Sequence, residues 1–72
     1  MSIFTPEQIQ LDPLIQFFDY EHLPSALQER SKPWGELALH VLTTIPRNAE
    51  RTVALRKLLE GKDAAVRASI QR

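Results

Sequence analysis

Apolar residues in the second half of the chain return at three- and four-residue intervals in two long stretches. Leu27, Trp34, Leu37, Ala38, Val41, Leu42 and Ile45 trace one helical stripe. Leu55, Leu58, Leu59, Ala65, Val66 and Ile70 trace a second. The first stripe predicts a helix opening at Leu23-Pro24-Ser25 and running to about Thr44. Pro33 stands inside it, so a kink or a restart near Ser31 is expected. Ile45-Pro46-Arg47-Asn48 reads as the turn, with Asn48 as N-cap of the second helix. Gly61 within that helix marks a close approach, to the other helix or to a ligand or neighbouring subunit.

Before the stripes the pattern is shorter. Thr5-Pro6-Glu7-Gln8 is a helix start: Thr as N-cap, Pro at the first helical position, Gln at the capping-box position. Asp12-Pro13 repeats the signal, predicting a short helical turn to Phe17 or Phe18. Phe18 to Pro24 alternates apolar and polar residues before a proline, which predicts an extended connector. The fold class is therefore all-α: an antiparallel two-helix hairpin with short N-terminal helical segments, assembled into a homo-oligomer. Residues 1–17 are expected to form an N-terminal extension and residues 18–72 the helical-hairpin domain.

Size sharpens the expectation of assembly. A chain of 72 residues buries a small core, and the usual supports are disulfides, metals or oligomerisation. With no Cys, disulfides are excluded, and His22 and His40 alone make poor zinc ligands, so neither metal nor cofactor is expected. No apolar run is long enough to span a bilayer and the first residues, MSIFTPEQ, carry no basic n-region, so a cytoplasmic, non-membrane protein is expected.

The net charge of zero hides an uneven distribution. Residues 1–22 hold four carboxylates and no Lys or Arg; residues 23–72 hold nine Lys/Arg against five Asp/Glu, a net of +4. That suits a small anionic ligand or contacts between an acidic head and a basic body. The apolar residues Ile3, Phe4, Ile9, Leu11, Leu14 and Ile15 suggest that the head covers a neighbouring subunit. A general DNA binder would be more basic, so DNA is not an expected partner.

Catalytic chemistry is hard to assemble from these letters. The serines occupy capping, terminal or surface-like contexts, and His40 falls within the first stripe as an interhelical side chain. Glu60 and Asp63 are set among Lys57, Lys62 and Arg67, as on a salt-bridged helix surface. No enzyme is expected. Binding has more to draw on: Tyr20, His22 and Trp34 could stack on nucleobases, while Arg30 and Lys32 could pair with phosphate. Phe17, Phe18 and Trp34 also suit a core, whereas Tyr20 on its proline-bounded connector is placed to reach outwards.

Phe18-Asp19-Tyr20, Leu37-Ala38, Pro46, Glu50-Arg51, Ala54-Leu55, Lys57-Leu58 and the run from Ala64-Ala65 to Ile70 fall in an order and spacing with a precedent. From Phe18 onward the chain resembles the helical-hairpin domain of phage-encoded cyclic-nucleotide sponges, the anti-CBASS and anti-Thoeris proteins. The resemblance implies a viral immune-evasion protein, acting in the host cytoplasm, that sequesters cyclic di- and trinucleotides without cleaving them. It implies a hexamer of hairpins with ligands in pockets between subunits. Carried onto this chain, Tyr20 would stack on a base and Arg30 or Lys32 would neutralise phosphate. Arg51 and Arg67 would contact phosphate or hold the interface. Without the resemblance, a small helical DNA-binding regulator or a self-assembling adaptor accounts for the same residues.

Overall fold

A computed structural model describes residues 2–70. The described chain is 78% helical and contains no strand. Helix α1 spans Pro6–Leu11, a 3₁₀ helix follows at Pro13–Phe18, and the long helices are α2 (Ser25–Thr44) and α3 (Ala49–Ile70). Helices α2 and α3 pack against one another as a hairpin, and the 3₁₀ helix touches both.

Local signals set the helix starts. The Thr5 hydroxyl accepts the Gln8 N–H at 3.1 Å, and the Gln8 side chain accepts the Thr5 N–H at 2.9 Å, closing the capping box. Asn48 Oδ1 accepts the Arg51 N–H at 2.9 Å and so caps α3. The Gln28 amide donates to the carbonyls of Glu21 and Leu23, tying the connector to the first turns of α2.

At Pro33 one of two alternatives falls away, and two expectations change. Helix α2 continues through Pro33 without a restart. Pro33 and Glu29 are both exposed, so the carbonyl that loses its donor lies on the solvent side, where water serves it. The connector is not extended: the Leu23 N–H donates to the Tyr20 carbonyl at 3.0 Å and closes a turn. A strand with no partner gains nothing here, whereas a reversal returns the head to its own hairpin. His40 is exposed rather than interhelical.

The largest change concerns residues 2–18. Phe4, Ile15 and Phe18 are buried together with Ala38, Leu55 and Leu59, and Ile3, Ile9 and Leu14 pack around them. The head thus covers the hairpin of its own chain. The boundary expected after Phe17 falls inside the 3₁₀ helix, where Ile15 and Phe18 share one core. The rings of Phe4 and Phe18 meet tilted, centroids 6.5 Å apart.

This docking depends on small residues. The buried positions of α2 are Ser31, Gly35 and Ala38, which share one helical face. A Cβ on Gly35 would stand 3.3 Å from both Ile3 Cδ1 and the Phe18 carbonyl oxygen, and 3.4 Å from Tyr20 Cε1. Backbone can approach backbone here because there is no side chain between them. Phe17, expected in the core, points away and is 59% exposed.

Candidate functional site

Two buried cations on α3 define the seam between head and hairpin. Arg51 and Lys62 are three turns apart, so they lie on one face of the helix about 16 Å from each other. Arg51 Nη2 donates to Asp12 Oδ2 at 2.8 Å, with both side chains only 6% exposed. Its Nη1 donates to the carbonyls of Ile45 (3.1 Å) and Leu42 (3.4 Å), at the carbonyl-rich end of α2 where a cation is favoured. Arg47 adds a bond from Nη2 to the Leu11 carbonyl at 2.9 Å and a longer pairing with Asp12 at 3.7 Å. At the other end, Lys62 Nζ donates to the Phe17 carbonyl at 2.7 Å and pairs with Asp63 at 3.0 Å.

Together these bonds bracket the 3₁₀ helix. Asp12 precedes its first residue and is gripped by Arg51; Phe17 offers a carbonyl at its last turn to Lys62. A negative group at the start and a positive one at the end both suit the direction of the peptide dipoles. The acidic head and basic body read from composition do meet, within one chain.

Arg51 was expected to contact phosphate or hold an interface between subunits. Instead its guanidinium is buried and occupied by Asp12 and two carbonyls, so in this fold it holds the head. Trp34 is half-buried between the long helices, its Cζ3 only 3.0 Å from where a Cβ on Gly61 would stand. Gly61 therefore serves helix–helix approach. Tyr20, expected to reach outwards, is half-buried with its ring edge against Gly35.

The remaining candidates are exposed but do not converge. His22 lines an open hollow of about 440 Å³ with Ser2, Asp19 and Glu21, and two carboxylates make a poor wall for a phosphate. The Ser2 hydroxyl donates to Asp19 at 2.6 Å across it. Arg30 and Lys32 are two residues apart on α2 and so point about 200° away from each other. Arg67 is exposed in the last turns of α3. A second hollow, of about 640 Å³, is walled by Ser2, Ile3, Phe4, Thr5, Pro6 and Ile9 and carries no cation.

The Ser31 hydroxyl is buried without a hydrogen-bond partner, and the Ser69 hydroxyl is spent on the Ala65 carbonyl. Among the described residues no group of three or more His, Asp or Glu could hold a metal ion, and no helix is long and apolar enough to cross a membrane. Asp12, Gly35 and Lys62 are the residues that sequence reasoning passed over. Asp12 reads as a cap before Pro13, and Lys62 as helix surface, because their partners lie 39 and 45 residues away.

No family model matches the chain, and comparison with curated proteins and with solved structures finds no relative and no structural neighbour.

Proposed function

We propose that this chain is a non-catalytic binding module that works as an assembly of identical copies. The observation that carries the reading is the one-sidedness of the hairpin. The head covers the side holding Ser31, Gly35, Ala38, Leu55 and Leu59. Around the edge of α2, at helical spacing, come half-buried Trp34 and Val41 and then Leu37, which is 48% exposed. On α3 the matching edge carries Leu58, Gly61 and Ala65, none of them fully buried. A helix layer gains most by burying each apolar side against another layer, and a second copy supplies one with the same composition.

A second reading keeps cyclic oligonucleotides as the ligand. It is favoured by Arg30, Lys32 and Arg67, exposed cations without an ion-pair partner among the described residues. A dianionic ring needs several fixed cations around it. Arg30 and Lys32 diverge within a copy, so adjoining copies would have to contribute them jointly. Arg51 takes no part in this version. In the DNA-binding alternative Arg51 likewise takes no part, because it is buried on Asp12.

Sedimentation of the full chain at micromolar concentration tests the first reading. Assembly is expected, together with its loss on Leu37→Glu while the helical signal and melting temperature stay near those of the parent. A parent chain that sediments as a monomer overturns the proposal. A thermal-shift series with cyclic di- and trinucleotides tests the second: a rise in melting temperature that Arg30→Ala, Lys32→Ala or Arg67→Ala abolishes supports it, and no shift removes it.

A further inference from the structure

We infer that two copies join through the uncovered side of the hairpin about a two-fold axis at Leu37, with Arg30 of each copy paired to Glu50 of the other. The inference rests on the assembly reading and adds the register in which the copies meet. Its occupant is a second copy because the charges on this side complement one another only between copies.

Helix geometry places both charges on that side. Leu37 is two residues on from Gly35, which turns it about 160° from the line that receives the head. Arg30 stands seven residues before Leu37, two turns away on nearly the same line of α2. On α3, Glu50 stands eleven residues before Gly61, three turns away on nearly the same line, and about 140° around the helix from buried Leu55. Both charged residues are exposed, and neither side chain has an ion-pair or hydrogen-bond partner among the described residues.

They do not meet within one chain. Gly61 faces Trp34 across an antiparallel hairpin, so Glu50 is level with Ile45, just past the end of α2. That is about 22 Å along the bundle from Arg30. A two-fold axis running across the hairpin at the height of Leu37 removes the separation. Arg30 lies about 10 Å to one side of that height and Glu50 about 12 Å to the other, so the rotation brings one level onto the other to within about 2 Å. The same height is marked by packing, because Leu37 is the large apolar residue that α2 leaves most exposed, at 48%. Charge and apolar exposure thus select one axis independently. Ala54 and Gly61, on either side of that level on α3, are small and leave room for Leu37 of the second copy. Lys57, close to the axis, is already paired with Glu60 at 3.7 Å and brings no net charge there. An axis along the helices would instead keep Arg30 and Glu50 at their separate levels. The isologous contact across the helices supplies the ion pair twice.

Charge reversal at these exposed positions tests the register. Arg30→Glu and Glu50→Arg are made as separate full-length chains, each with a helical signal and melting temperature expected near the parent's. Either variant alone sets like charges opposite one another twice, and its self-association in sedimentation is expected to weaken about tenfold. An equimolar mixture matches both pairs at once, so native mass spectrometry should find a one-to-one heterodimer in excess of both homodimers. The double variant Arg30→Glu/Glu50→Arg in one chain should regain self-association. Single variants that associate as tightly as the parent, or a mixture no tighter than its components, overturn the inference. If the parent assembles and Leu37→Glu disperses it, those outcomes remove the register and leave the assembly reading standing. A monomeric parent removes both.

Discussion

The two sides of the hairpin are built from the same helices and read by the same periodicity, yet they behave differently. On the covered side α2 presents Ser31, Gly35 and Ala38, and the head lies close enough for its backbone to touch the helix. Around the edge α2 presents Trp34, which meets Gly61 of α3, and then Val41 and Leu37, which are larger and more apolar but remain partly or largely exposed. Burial here follows what can come near, not which residues are greasiest. A flat stripe of small residues admits backbone and lets ion pairs form at its margins. A stripe of large residues keeps a partner at side-chain distance and leaves the choice of partner open.

The sharpest way to break this contrast is at the Arg51 end of the seam. Arg51→Ala leaves buried Asp12 with only its longer pairing to Arg47 and deprives the carbonyls of Leu42 and Ile45 of their donor. Losing one partner of a buried pair costs about 3–5 kcal/mol, a large share of the stability of so small a chain. Urea denaturation should show the midpoint falling accordingly, while Arg30→Ala on the exposed surface should stay within about 0.5 kcal/mol of the parent.

Next in size comes Lys62→Met, which removes the donor to the Phe17 carbonyl at the opposite end of the 3₁₀ helix. A loss of about 1.5–3 kcal/mol is expected from the same denaturation series, as for a hydrogen bond from a charged group. Gly35→Val tests the close approach itself. Its Cβ would press on the Phe18 carbonyl, which is backbone and cannot swing aside, so a cost of about 1–3 kcal/mol is expected. Gly61→Ala sets the opposite case, for there the neighbour is the rim of a half-buried Trp34 ring. The gain of about 1 kcal/mol in helix propensity should offset most of the crowding. The smallest effect belongs to Lys57→Ala, whose pair with Glu60 at 3.7 Å is solvent-exposed and contributes under about 0.5 kcal/mol.

Much of the local structure was legible before any coordinates. Thr5 with Gln8, Asn48 before α3, and the stop at Ile45-Pro46 are short-range chemistry, and each does what its letters imply. The periodicities gave both long helices, since helical spacing depends only on near neighbours. What the letters could not show was which side of the hairpin receives the head. Periodicity groups residues by face without naming the partner, and Asp12 finds Arg51 only through the complete fold. The burial of Arg51 on Asp12, and the packing of the Tyr20 ring edge beside Gly35, were hidden for that reason. Arg30, Lys32, His22 and Arg67 stand on the surface as expected of binding groups, but their separation within one copy is a property of three dimensions.

The account rests on the head being part of one cooperative core with the long helices. Native-state hydrogen exchange measures this directly, by comparing the amide of Ile15 in the 3₁₀ helix with those of Leu55 and Leu59 in α3. The expected result is the same slow exchange at all three, with protection falling together when Arg51 is replaced. Rapid exchange at Ile15 while Leu55 and Leu59 stay protected would contradict the account, because it would show a hairpin that folds without its head.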